Sequence, residues 1–234
     1  MDSGRAEDGL GAGWKLKLLV MWYDLDGIVR DVRTALDFDG NGDGLAEFED
    51  SVALKLDELI ASKVADAGRV VEQSAPFELL DSGMAFGSTV GWESRVGYGS
   101  GWVQLPDDFL RLVCFRMSDW SRSVTEAVSE DDAVYQMQRS RYAGIRGNPQ
   151  RPVVAITRQP IGLVLEFYSC EGGEGVFIRR ARYIPIPRVV DGRIALCEKL
   201  RPSIVYHAAY MTALSLNERD VAENMLNQSK ELMQ

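Results

Sequence analysis

The chain has 234 residues, 46% of them hydrophobic, and its 35 Asp and Glu outnumber 26 Lys and Arg for a formal net charge of −9. That length and apolar share can bury a real core, which excludes wholesale disorder, while the acidity opposes tight wrapping of a polyphosphate, because such affinity comes from cations that displace counterions. The three cysteines, Cys114, Cys170 and Cys197, are an odd number set far apart, which excludes a CxxC zinc or redox site and points to a reducing compartment. The first apolar run, Leu16 to Tyr23, follows acidic and glycine-rich residues unlike a secretion signal. It is also shorter than the roughly 20 apolar residues a bilayer requires. A soluble protein made in the cytoplasm is expected.

Residues 1–13 read as a flexible tail, with order beginning near Trp14 and a single domain over 14–234. Within it, 14–82 is helical. Leu25, Ile28, Val29, Val32, Ala35 and Leu36 recur at helical spacing until the glycine cluster 40–44. A second helix carries Val52, Leu56, Leu59, Ile60, Val64, Ala67, Val70 and Val71 on one stripe and ends before Pro76. Residues 83–104, rich in glycine with isolated aromatics (Phe86, Trp92, Tyr98, Trp102), suit a long exposed loop or a flexible hairpin more than a packed element, an extended arm that reaches a partner. Residues 105–190 form the β part. Leu110–Met117, Val153–Thr157, Leu163–Tyr168 and Gly175–Ile184 predict three or four antiparallel strands, with a short helix inserted over 131–141. Asp191-Gly192 marks a turn, and 191–234 closes as an αα-hairpin with Pro202 in the first turn of one helix and Asn217 capping the next. The fold class expected is α+β: N-terminal helices, a small central antiparallel sheet with an inserted helix, and a C-terminal helical hairpin.

The sharpest local motif lies at 37–50. Calcium takes six to eight oxygens, and an EF-type loop supplies them from positions 1, 3, 5, 7, 9 and 12 with glycine at 6. Counted from Asp39, the loop offers Asp39, Asn41, Asp43, the Leu45 carbonyl and Asp50, with Gly44 at the turn, a dockerin-like variant ending in Asp. Counted from Asp37, Phe48 falls on the last position unless an extra residue lets Glu49 close the loop. A helix–loop–helix context favours the site, the lack of a second such loop opposes it, and the same residues also read as an acidic turn between helices. Two basic stretches stand out as well: Arg139, Arg141, Arg146 and Arg151, and then Arg179, Arg180, Arg182 and Arg188 around Tyr183. Against a net charge of −9, pairing with acidic residues of a neighbouring subunit, or a place on a solvated sheet face, is favoured over phosphate.

For catalysis the inventory is thin. The single histidine, His207, lies in an apolar helical run between Tyr206 and Tyr210 and reads as a packed imidazole. Gly97-Tyr98-Gly99-Ser100-Gly101 has neither nucleophile-elbow nor dinucleotide spacing and reads as a loop. The pairs Asp107-Asp108 and Asp131-Asp132 are adjacent in sequence, with nothing to hold them across a substrate. No enzymatic role is expected.

Leu105-Pro106-Asp107-Asp108-Phe109-Leu110-Arg111-Leu112 resembles the lead into the first strand of phage head-to-tail adaptor proteins, the family that includes podoviral tail tubular protein A. Tyr206-His207-Ala208-Ala209-Tyr210 through Leu216-Asn217-Glu218, with Ala222 and Met225, resembles the closing helix pair of the same group, especially the ring proteins of crAss-like phages. Tyr183-Ile184-Pro185 is similar too. The likeness covers roughly 100–234, and its motifs are packing and turn residues. It implies a virion structural protein at the head–tail junction. Copies would close into a ring, dodecameric in relatives, that docks on the portal protein and meets tail or ring proteins below. DNA would pass without specific binding and no membrane would be involved; an acidic wall that repels DNA is useful in such a channel, but the same acidity is common in cytosolic proteins and counts only against tight DNA binding.

Overall fold

The computed structural model of the protein describes residues 21–39, 50–87, 89–93, 99–140, 142, 144–171 and 175–234, without the side chains of 37–39 and 50–54. In chain order these form β1 (Met21–Asp24), α1 (Leu25–Asp39), α2 (Asp50–Ser74), β2 (Met84–Ala85), β3 (Gly91–Glu93), β4 (Gly99–Gln104), β5 (Phe109–Met117), α3 (Ala133–Met137), β6 (Val154–Gln159), β7 (Gly162–Cys170), β8 (Ile178–Pro185), β9 (Val189–Val190), β10 (Arg193–Leu196), α4 (Arg201–Ser215) and α5 (Arg219–Glu231). Helices combine with antiparallel sheets and a closing helix pair, so the fold is α+β as the composition of elements implies.

The helical half is built on period-3.6 stripes. Ile28, Val29, Val32 and Leu36 of α1 and Leu56, Ile60, Val64, Ala67 and Val71 of α2 are buried, which places their apolar faces against α4, α5 and the inner residues Ile194 and Leu196 of β10. α2 stops two residues before Pro76, as expected. Its last carbonyls are taken by a cation from another element: Arg111 Nη1 donates to the carbonyls of Glu72, Gln73 and Ala75. α4 carries Pro202 in its first turn, and its pairing with α5 is fixed by a buried reciprocal contact. Ser203 Oγ donates to the Ser229 carbonyl at 2.8 Å and Ser229 Oγ to the Ser203 carbonyl at 2.9 Å.

Asn217 does not cap α5. It adopts φ +65°, and behind it Glu218 N donates to Ala213 O at 2.9 Å and Asn217 N to Leu214 O at 3.1 Å. Asn217 is the left-handed residue that ends α4 in a Schellman motif, while α5 starts from Glu218 with no side-chain cap.

Three sheets replace the single small one expected. β1-β10-β9 packs on the helices, β2-β8-β5 is central, and β3-β4-β7-β6 faces it. Asp191 and Gly192, at φ 51° and 72°, make the two-residue turn between β9 and β10. The second and third sheets enclose a β core in which Phe115 of β5 stacks on Phe167 of β7 at 6.0 Å and meets Trp120 edge-on at 5.6 Å.

The described residues of 83–104 are largely paired strand, two of the strands forming an antiparallel pair, and not an extended arm. Met84–Ala85 pairs with β8, and Gly91–Glu93 and Gly99–Gln104 pair with each other, the latter also with β7. Gly99-Ser100-Gly101 is therefore strand, not loop. The glycines are there because their partners are aromatic: Trp102 lies across Gly91, and a Cβ at Gly101 would sit 2.7 Å from Phe167 Cζ. Trp92, directly opposite Gly101, meets Phe167 edge-on at 5.3 Å and keeps 43% exposure. Rings cover the backbone that glycine leaves bare. The inserted helix is shorter than expected, Ala133–Met137, with Asp132 as its N-cap accepting from Val134 N at 2.7 Å.

Candidate functional site

Two of the three stretches compared above with head-to-tail adaptors meet in one seam. Register places Phe109 opposite Pro185 and Leu112 opposite Tyr183, so the Phe109–Leu112 end of that stretch, the start of β5, lies beside Tyr183-Ile184-Pro185. Tyr183 donates its hydroxyl to Asp108 Oδ1 at 2.9 Å, and Phe109 stacks on the same ring at 5.8 Å. Burial, and then the Asp108 carboxylate, push the Tyr183 phenol up, so it stays a donor. From this strand Arg111 reaches the end of α2, which ties the β half to the helical half. Asp107-Asp108 is thus half absorbed into structure.

Cross-strand register sorts the rest of the surface into faces, since residues directly opposite share a face. On the central sheet Phe115 and Ala181 point into the β core, so Cys114, Arg116, Arg180 and Arg182 lie on the outer face. At the Arg111 and Ile184 end α2 covers that face; at the other end none of the described helices packs on it. There Arg116 sits opposite Arg180, a like-charge pair that costs stability. Arg182 Nη1 donates to Gly83 O at 2.9 Å, and Arg116 to Trp120 O at 3.1 Å and Ser121 O at 3.2 Å. Carbonyls orient these guanidiniums without neutralising them. Cys114 is buried beneath, its thiol pushed up by burial and drawn back partly by Arg180 and Arg182. Phe177, just before β8, is 61% exposed.

On the facing sheet Phe167 points inward, so Glu166 and Tyr168 lie on the opposite outer face, where Glu166 accepts from Thr157 at 2.8 Å, from Gln159 at 3.0 Å and from the Tyr168 hydroxyl. Burial and Glu166 raise the Tyr168 phenol well above its usual value. α3 packs over this face through Tyr135 against Tyr168, ring centroids 6.3 Å apart. α3 leaves Val134 and Met137 exposed and follows the acidic run Glu130-Asp131-Asp132.

His207 is 8% exposed, edge-on to Tyr210 at 5.3 Å, and burial followed by Lys230 lowers its pKa. Glu72, which no sequence motif singled out, is 2% exposed and accepts from Cys197 N at 2.7 Å. Burial pushes its carboxyl up to about 7 against that hydrogen bond, and nearby Asp81 adds to the rise. Its position on the apolar stripe of α2, next to Val71, was the available signal. A groove of about 430 Å³ lies beside the first sheet, lined mainly by Trp22, Met84, Pro185, Ile186 and Val190 with Arg188 at its edge.

The candidate calcium ligands are not brought into view: Asn41, Asp43 and Leu45 lie outside the described residues, and Asp39 and Asp50 appear only as the last residue of α1 and the first of α2. Tyr98 and Arg141 also lie outside them. Of the first basic stretch, Arg139 stacks over Tyr135 at 5.8 Å and Arg151 closes a turn with Asn148. Of the second, Arg182 and Arg180 join Arg116 on one face. Among the described residues no helix is long and apolar enough to cross a membrane. No family model and no curated protein matches the chain.

Proposed function

We propose that this protein is a structural subunit whose copies close into a ring between the portal of a tailed phage's capsid and its tail, and that it performs no catalysis. The observation that carries the reading is the seam. Two of the three stretches resembling head-to-tail adaptors, Leu105–Leu112 and Tyr183–Pro185, are neighbours, and through Asp108, Phe109 and Arg111 they join two halves of the molecule. Their side chains serve architecture. The lone imidazole is packed against Tyr210 with no carboxylate bonded to it among the described residues, which supports the same reading. DNA would pass such a ring without sequence-specific contact, the protein being made in the host cytoplasm and kept in the virion. Native mass spectrometry and negative-stain microscopy, with and without the portal protein, test it: closed rings of one stoichiometry are expected, dodecamers on the adaptor likeness. A chain that stays single under both conditions refutes it.

A calcium-binding interaction module is the second reading, favoured by the motif at 37–50 falling in the chain between the described helices α1 and α2. It predicts a melting temperature raised by calcium, not by magnesium, together with a monomeric mass.

A further inference from the structure

We infer that the end of the central sheet's outer face on which no described helix packs, carrying Arg116, Arg180 and Arg182 beside Phe177, receives the segment Glu130–Met137 of a second copy. This contact deepens the ring reading and rests on it.

Two observations carry the inference. The first is chemical complementarity. Three guanidiniums share one face, two of them held on backbone carbonyls, and no ion pair among the described residues neutralises them. Pre-oriented guanidiniums give up little freedom on pairing with carboxylates, and a carboxylate would relieve the Arg116–Arg180 repulsion. The segment before and within α3 supplies exposed Glu130 and Asp131 followed by exposed Val134 and Met137, matching cations beside an exposed aromatic ring. Phosphate is the other anion such a face could take; the net charge of −9 disfavours a polyanion the size of DNA.

The second observation is placement. The arginines lie on the outer face of the central sheet, α3 lies on the outer face of the facing sheet, and the β core separates them. Donor and acceptor surfaces therefore sit on opposite sides of one protomer. A contact between them is heterologous, adding copies head to tail and closing where the rotation permits.

Arg180 and Asp131 are exposed, so substituting them tests the contact with little risk to the fold. Association of the unsubstituted chain, Arg180→Glu, Asp131→Arg and the double variant is measured by analytical ultracentrifugation at rising concentration, with melting temperatures as a fold control. Each single variant is expected to weaken association by roughly tenfold or more, and the double variant to recover most of it. Single variants that assemble like the unsubstituted chain overturn this contact and leave the ring reading standing. A chain that is monomeric at millimolar concentration and with portal overturns both. Binding of short duplex DNA that Arg180→Glu abolishes, with assembly unchanged, assigns the face to phosphate and overturns the inference.

Discussion

Glu72 turns a packing detail into a measurable pH dependence. The carboxyl is 2% exposed, and burial moves its pKa from 4.5 to about 7. In the unfolded chain it ionises near its ordinary value, so between 4.5 and about 7 the unfolded state sheds a proton that the folded state keeps. Stability from this group is complete below 4.5, falls as pH rises, and levels off above about 7. At about 1.4 kcal/mol per pH unit the gap is worth about 3 kcal/mol. Glu72→Gln keeps an oxygen for the Cys197 N–H and removes the titration.

The comparison is urea unfolding of the two chains across that range. Near pH 4.5 they should be about equally stable; near pH 8 the variant should lead by about 3 kcal/mol, roughly 2–4 °C in melting temperature for each kcal/mol in a chain of this size. Using the difference matters because His207 acts in the opposite sense. Its lowered pKa means that the unfolded imidazole protonates first, so stability falls as pH drops below about 6.5. Asp81, raised by burial as well, is common to both chains. Curves that stay parallel from acid to alkaline pH would show that Glu72 is not protonated in the folded state, and the account of its burial would fail.

Gly101→Ala should destabilise by about 1–3 kcal/mol in urea unfolding, because the added methyl would lie 2.5 Å from the Gly91 carbonyl oxygen and 2.7 Å from Phe167 Cζ. Asn217→Gly should leave stability within about 0.5 kcal/mol, glycine being at home in the left-handed region, whereas Asn217→Val should cost about 1–3 kcal/mol at φ +65°; circular-dichroism melts compare them. Ser229→Val should cost about 2 kcal/mol or more and expose the α4–α5 contact to hydrogen exchange, since it crowds a fully buried position and leaves the Ser203 carbonyl without its hydroxyl donor.

The helices were legible because burial writes itself at period 3.6: Ile28, Val29, Val32 and Leu36, and Leu56, Ile60, Val64, Ala67 and Val71, are buried, although Val70, expected on the same stripe, is 42% exposed. β5 through β8 were legible from dense runs of β-favouring residues. The glycine-rich segment was misread for a physical reason. A glycine contributes no side chain to a periodic pattern, and what makes Gly91 and Gly101 strand residues is a ring on the neighbouring strand, Trp102 for one and Phe167 for the other. Asn217 was misread because asparagine suits both an N-cap and a left-handed C-terminus; only the bond from Glu218 N to Ala213 O separates them. Of the proposed contact, the basic run Arg179–Arg182 was visible in the sequence. That Arg116 joins it, and that α3 lies on the far side, depends on register, which no local pattern encodes.

Register also decides how so acidic a chain can bind itself. Two bodies of −9 repel at a distance, but at physiological ionic strength that field fades over about 8 Å, so the outcome is set by what touches. Were the arginines spread over the surface, each would meet the average acidity of a neighbour weakly and in no fixed orientation. Gathered by β5 and β8 on one outer face, two of them already clamped on carbonyls, they would in the proposed contact meet a carboxylate segment in one orientation only. The like-charge pair Arg116 and Arg180 is a cost to the isolated protomer that binding removes. Free energy is thus shifted from the monomer to the contact, and because the acceptor segment lies across the β core, relief of strain in one copy leaves its own acidic segment free to relieve the next.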